Sequence, residues 1–332
     1  MIHHAAAIGR RSLLALAGGV AVGTPALAQA PSGAAWPNRP IRVVAPFPPG
    51  GLADVLARSV GEELGRALGQ PVVVENRAGA GGNVGAEVVA RSAADGYTLM
   101  MSSTGILSIN QFLYPTLPFD PERGFAPISV VADMPMMLVV NPRMPVSDAQ
   151  AFIAMARANP GRLNFGSAGN GTTGHLALAL FTAAAQVRIQ HVPYRGAAPA
   201  VQDLLAGNLD GVFDNPPTVI QHVRSGALRA LMVTSAERMP LLPDVPTARE
   251  AGLPEYAPSS WFGLVAPAGT PEPILARLQA EVAQAVRAPG MQRLTDSGLR
   301  LVGNSREDFA ALIVAERTRW GDAIRRDNIR LE

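Results

Sequence analysis

The 332-residue chain carries 28 basic and 26 acidic residues, every basic one an arginine, and it has no cysteine. The length suggests two domains rather than one, and the apolar content is high enough for full cores built mainly from Ala, Val and Leu. The missing cysteine excludes disulfides, thiolate metal sites and a cysteine nucleophile, and the missing lysine removes every lysine-based mechanism.

The first 28 residues read as an export signal. Arg10-Arg11 precedes an apolar Ala/Leu/Gly/Val stretch from Ser12 to Leu27, and Ala26-Leu27-Ala28 fits the small-x-small cleavage rule. Cleavage is expected after Ala28, since a cut after Ala30 would leave Pro31 first. Gly9-Arg10-Arg11-Ser12-Leu13-Leu14 fits a twin-arginine signal and equally a Sec signal that happens to carry two arginines. The stretch is too short and too rich in Ala and Gly for a stable membrane span. Its removal takes away two arginines and no acid, which leaves 26 charges of each sign. No basic stripe then remains for nucleic acid. The mature chain is expected to be soluble and periplasmic.

Strands and helices alternate from there. An extended lead-in over 29–40 precedes a buried strand at Ile41 to Ala45. A helix follows at Asp54 to Leu68, then a strand at Val72 to Glu75, a helix that Asn83 can cap, and a strand at Tyr97 to Met101. Pro127 to Val131 and Met136 to Val140 are two apolar runs split by Asp133 and Pro135. A second alternation begins with a helix from Ser147-Asp148. It continues with strands at Leu163 to Phe165 and Gln190 to Val192, and with helices at His175 to Ala185 and Pro199 to Ala206. Asp210 to Phe213 and Leu228 to Thr234 complete it. Phe262 to Ala266 is a further strand, and the rest is helical, ending in an Arg/Glu-rich helix from Arg306. Alternation of this kind predicts parallel sheets with covering helices.

Two glycine-rich loops join strand ends to helix starts. The first is Pro46-Phe47-Pro48-Pro49-Gly50-Gly51-Leu52-Ala53-Asp54. The second is Gly166-Ser167-Ala168-Gly169-Asn170-Gly171-Thr172-Thr173-Gly174-His175. Such loops turn free backbone N–H groups toward one point at the positive end of a helix, where an anion can be held without a cationic side chain. The chain is expected to cross between two α/β units near Met136 and to return near Trp261. One lobe then comprises 29–136 and 258–332, the other 137–257. The cleft between them is the expected ligand site, at the C-terminal ends of the strands.

Eight stretches, in a fixed order, resemble the periplasmic receptors of tripartite tricarboxylate transporters, the Bug proteins. They are Trp36-Pro37-x-Arg39-Pro40-Ile41, Pro46-Phe47-x-x-Gly50-Gly51-x-x-Asp54, Glu75-Asn76-Arg77-x-Gly79-Ala80-Gly81-Gly82 and Asp95-Gly96-Tyr97-Thr98-Leu99. The others are His191-Val192-Pro193-Tyr194-Arg195-Gly196, Asp203-Leu204-Leu205-Ala206-Gly207, Leu242-Pro243-Asp244-Val245-Pro246-Thr247 and Ala266-Pro267-Ala268-Gly269-Thr270-Pro271. The resemblance implies a two-lobed α/β fold of the periplasmic-binding-protein kind (Venus flytrap, type II) with a two-strand hinge. It implies a small organic acid as ligand, a di- or tricarboxylate, an aromatic carboxylate or an acidic amino acid, held largely by loop backbone groups and water. It also implies transient partners, the large and small integral-membrane subunits of a permease, for a monomeric receptor without cofactor. Many relatives read Gly-x-Gly-Ser-x-x-His where this chain has Gly169-Asn170-Gly171-Thr172-Thr173-Gly174-His175, so the second loop departs from the pattern.

The candidate ligand residues fall in and beside these loops. Phe47 and Pro49 shape a wall, and proline cannot donate. Gly50 and Gly51 either make a tight turn or offer their amides. Asp54 either stabilises its own helix dipole or orders the loop and meets an ammonium on the ligand. Ser103 and Thr104 either cap a helix or donate hydroxyls. Ser167, Gly169, Asn170, Gly171, Thr172 and Thr173 form the second loop, where at least one side chain should cap the helix. His175 is in the first helical turn, and His191 starts an apolar strand. Tyr194 and Arg195 end that strand, where Arg195 pairs either with a distal carboxylate or with Asp203 or Asp210. Asp214 and Asn215 end another strand. Arg77 knits loops together, and Met134, Met136 and Met137 are hinge packing. No metal-ligand spacing occurs.

The leading expectation is therefore a non-catalytic receptor serving a permease. A co-receptor for a signalling sensor needs the same closure. A secreted hydrolase built on Ser167, His175 and Asp214 has the residue types but lacks the Gly-x-Ser-x-Gly elbow.

Overall fold

The computed structural model describes residues 36–331, so the expected leader and its cleavage site lie outside the described residues. Strand β1 (Ile41–Ala45) has parallel neighbours on both sides, β2 (Val72–Asn76) and β3 (Thr98–Ser103). That position explains its unbroken apolar run, because a strand covered on both faces does not alternate. Helix α1 (Leu52–Leu68) places Leu52, Leu56, Val60 and Leu64 on one buried stripe and stops at Gly69, whose φ of 67° only glycine adopts readily. Helix α2 (Asn83–Ala90) follows β2, and a short α3 (Asn110–Leu113) follows β3 after a wide turn over Gly105–Ile109. Asn83 does not cap α2. It is already helical, Gly82 holds the cap position, and the Asn83 Oδ1 accepts from Asn110 at 2.6 Å instead.

The first of the two apolar runs around Asp133 is longer than expected. Strand β4 (Phe125–Pro135) runs straight through Asp133 because it pairs antiparallel with β10 (Ser259–Pro267) along nearly its whole length. After Met136 the chain enters β5 (Met137–Val140), which belongs to another sheet. That sheet also contains β6 (Asn164–Ser167), β7 (Gln190–Pro193), β8 (Gly211–Asp214) and β9 (Arg229–Val233). Its helices are α4 (Ala149–Ala158), α5 (Thr173–Ala185), α6 (Ala197–Ala206) and α7 (Pro216–Arg224). Asp148 caps α4 by accepting the Ala151 N–H at 2.8 Å. The first sheet is closed by α8 (Glu272–Ala285), a short α9 (Gln292–Thr295), β11 (Arg300–Leu301) and α10 (Arg306–Arg326).

The first sheet has the order β11-β4-β10-β3-β1-β2, and the second β7-β6-β8-β5-β9. Both place a strand that arrives from the other half, β10 or β5, antiparallel beside a parallel trio, with β4 and β11 beyond it in the first sheet and β9 in the second. The two lobes thus repeat one topology, and each sheet has an apolar core on both faces. A smaller cluster bridges the lobes. Leu176 of α5 is buried among Ile109, Leu113, Trp320 and Ile324. Thr234 stitches the two crossings together. Its hydroxyl accepts the Met136 N–H at 2.7 Å and donates to the Pro258 carbonyl at 2.6 Å.

Candidate functional site

Between the lobes lies a cavity with about 80 Å³ of room for the centres of water-sized spheres. One water needs roughly 10–15 Å³ on that measure, so the space suits a small molecule. Its apolar wall comes from Phe47, Pro48, Pro49, Leu52, Met136, Phe213 and Phe262. Its polar wall comes from Ser103, Thr172, Thr173, Asp214, Asn215, Thr218 and Ser260. Among the described residues, no arginine or histidine lines it.

Four helices begin at this cavity, and three of them offer free amides. At the start of α1, Gly50 donates its N–H to Asp54 at 2.9 Å and Gly51 donates to the Pro48 carbonyl at 3.2 Å. The amides expected to face the ligand are therefore spent inside their own loop. The next two, on Leu52 and Ala53, have no acceptor among the described residues, and both residues line the cavity. This follows from helix geometry, since the first-turn N–H groups lack an intrahelical partner. At the start of α5 the same holds for Thr173 and Gly174. At the start of α6 it holds for Ala197 and Ala198, after Gly196 with φ of 121°. Helix α7 contributes no such amides, because Pro216 and Pro217 have none and Thr218 donates to the Asn215 carbonyl. The third amide pair was missed in the sequence because Ala197 and Ala198 carry no distinctive side chain. The available signal was a glycine followed by two alanines and a proline at a strand end, a good helix start.

Of the residues singled out in the sequence, Phe47, Pro49, Gly51, Ser103, Thr172, Thr173, Asp214 and Asn215 line the cavity. The hydroxyls of Ser103, Thr173 and Ser260 have no partner among the described residues, so they are free to meet a ligand. Thr172 occupies the cap position of α5 but does not cap it with its side chain. Its hydroxyl donates to the Gly169 carbonyl at 2.7 Å. Thr104 lies away from the cavity and joins β10, accepting the Trp261 N–H at 2.9 Å. Asp54 orders the first loop: it accepts from Gly50, from Asn76 at 2.9 Å and from Arg58 at 2.8 Å. Burial opposes its charge, but the hydrogen bonds from Arg58, Gly50 and Asn76 outweigh that and hold its carboxyl below the usual range.

Gly169, Asn170, Tyr194 and Arg195 line a second hollow that shares Phe47, Pro48, Ala168 and Gly196 with the cavity. The Tyr194 hydroxyl donates to Asp203 at 2.6 Å, which leaves exposed Arg195 without the expected Asp203 partner. The tip of the second loop presses on the first lobe. Tyr114 donates to the Asn170 carbonyl at 3.0 Å, and a Cβ on Gly105 would sit 2.8 Å from the Gly171 oxygen. The lobes are closed on each other at this point.

Ser167, His175 and His191 form a cluster behind the loop. The Ser167 Oγ and His191 Nε2 are 2.7 Å apart, and the two imidazoles stack at 4.3 Å. His175 Nδ1 accepts the Gly171 N–H at 3.3 Å. Burial lowers His175 to about 4, and burial with the neighbouring imidazole lowers His191 to about 3, so both are neutral at pH 7. The arrangement is no catalytic triad. His175 does not reach the Ser167 hydroxyl, His191 has no carboxylate partner among the described residues, and Asp214 belongs to the cavity wall instead. Among the described residues no group of three or more His, Cys, Asp or Glu could hold a metal ion, and no helix is long and apolar enough to cross a membrane.

Two α/β lobes of matching topology, closed on a cavity fringed by helix N-termini, define a two-lobed solute-binding protein. Residues 56–329 match the tripartite tricarboxylate transporter family receptor, and the chain belongs to that family, whose members are receptors rather than enzymes. It is 38% identical over 316 residues to protein BugT of Bordetella pertussis, covering 95% of this chain and 97% of that one. Among solved structures it is similar to R. palustris Rpa4515 with adipate, at 38% identity and a TM-score of 0.86 over 89% of this chain and 100% of that one. It is also similar to MatC from Rhodopseudomonas palustris with bound malate, at 36% identity and a TM-score of 0.84 over 87% and 100% of the two chains.

Proposed function

We propose that the protein is an exported, monomeric receptor that captures one small organic acid between its lobes and delivers it to a permease of one large and one small integral-membrane subunit. The observation that carries this reading is the convergence of unpaired amides from α1, α5 and α6 on a cavity without a basic side chain. A carboxylate there meets three positive helix ends, each equivalent to roughly half an elementary charge. The acids named with two similar structures, adipate and malate, support a carboxylate as the ligand class. The lobes are 29–136 with 258–332, and 137–257. The division of the strands between two sheets supports these bounds. Contacts between Asn170 and Tyr114 exist only when the lobes meet, so a ligand that bridges them shifts the population toward the closed form. The leader over 1–28 places the mature chain in the periplasm.

Thermal unfolding against a panel of mono-, di- and tricarboxylates tests the reading. Ligand at about 100 times its dissociation constant stabilises the folded state by roughly 2.7 kcal/mol, so the matching acid raises the melting temperature by several degrees. A panel without any shift contradicts it.

A further inference from the structure

Among the described residues, Asp214 is the one charged side chain on the cavity wall. It is buried at the end of β8, accepts the Asn215 N–H at 2.7 Å, and has no ion-pair partner among the described residues. Beside it, the side-chain oxygen of Asn215 is buried without any hydrogen-bond donor. Asp214 therefore lines the space with the Asn215 amide and the Thr218 hydroxyl beside it but no cation, and the Asn215 oxygen next to it has no donor at all. Buried charges are normally paired, and a buried acceptor without a donor is costly. The rest of the polar wall is of the opposite character: six uncommitted amides on three helix starts. A dianion would satisfy the amides but bring its second charge against Asp214, and like charges in so small a space repel. A zwitterion satisfies both walls at once.

We propose that Asp214 determines specificity: with the Asn215 oxygen it receives an ammonium group, so the captured acid is an amino acid whose carboxylate lies on the helix amides. This rests on the carboxylate-receptor reading and names the ligand within it. Burial, which pushes the Asp214 carboxyl up to about 6, is the condition that a bound ammonium relieves.

The test is calorimetry with matched pairs that differ only in the amino group: L-aspartate and succinate, L-glutamate and glutarate, L-norvaline and valerate. One amino acid is expected to bind at least a hundredfold more tightly than its deaminated partner, and Asp214→Asn to lose about that factor, as for a truncated buried charge pair. The wild-type comparison stands even if the variant folds poorly. Equal or tighter binding of the deaminated acids overturns the inference but leaves the receptor reading intact, as does unchanged amino-acid affinity in Asp214→Asn. Tight binding of a plain dicarboxylate that strengthens below pH 6 and is lost in Asp214→Asn also overturns it, because the carboxyl then acts as a protonated donor. No binding by any of the six compounds, or by the wider carboxylate panel, overturns both.

Discussion

Asp54 accepts the amide of Gly50 at 2.9 Å, four residues back along the chain. With Asn76 and Arg58 on the same carboxylate, this bond fixes the first loop from within and aims the next amides, those of Leu52 and Ala53, at the cavity. The loop is therefore built before any ligand arrives, and binding does not have to order it.

Replacement of Asp54 by alanine should loosen that loop. It leaves the Gly50 N–H without its acceptor and the Asn76 amide with only the Phe47 carbonyl, a cost of about 1 kcal/mol at this partly exposed loop. Urea unfolding should show the loss of stability, and calorimetry a weaker carboxylate affinity. Wild-type values in both would show that the loop holds its shape without the carboxylate.

Closure depends on a contact too close for a side chain. A Cβ on Gly105 would lie 2.8 Å from the Gly171 carbonyl of the opposite lobe. Gly105→Ala should keep each lobe folded but hold the lobes apart at that edge, weakening the captured acid by about tenfold, or 1.4 kcal/mol. Small-angle scattering with saturating acid should show a larger radius than for wild type. An identical radius and affinity would contradict the closing role of this contact.

The histidine pair makes a pH prediction. In the unfolded chain both groups titrate near 6.5, whereas in the fold burial lowers them to about 4 and about 3. Their contribution to stability is complete above 6.5 and is lost as pH falls toward those lower values, because only the unfolded chain takes up the protons. Asp214, raised to about 6, acts the other way: its contribution is complete below 3.8 and is lost as pH rises through 6. Between pH 6 and 4, two histidines oppose one carboxyl, so stability falls with acidification. His191→Gln removes one proton from that balance and should flatten the slope by about 1.4 kcal/mol per pH unit. Parallel urea midpoints for the two proteins across that range would contradict the assignment.

Much of this architecture is legible in the sequence because its signals are local. The apolar run at Ile41–Ala45, the cap at Asp148 and the glycine loops declare themselves within a few residues. The site is less so. Gly50 and Gly51 look like the donors, and only the folded loop shows their amides already used. Ala197 and Ala198 have nothing in their side chains to announce a role that belongs to the backbone. The Ser167–His191 bond depends on β6 pairing parallel with β7, which sets Phe165 opposite His191 across 26 residues of sequence. Thr104 and Ser103 are neighbours of the same chemistry, yet Ser103 ends β3 at the cavity while Thr104, already turned into helical dihedrals, meets Trp261.

The most direct measurement of the central claim removes amides without removing helices. Proline is tolerated at the first helical position and has no N–H. Gly51 and Gly196 are both extended at ψ, 163° and 165°, as a residue before proline should be. Ala197→Pro should therefore fold with a melting temperature within a few degrees of wild type, and Leu52→Pro, which also trims a buried leucine, with a lower one. Each deletes one hydrogen bond to a charged group, worth about 1.5–3 kcal/mol. Isothermal titration with the acid that most stabilises the wild-type protein should show each variant at least tenfold weaker. Wild-type affinity in both folded variants would mean that backbone amides do not hold the ligand.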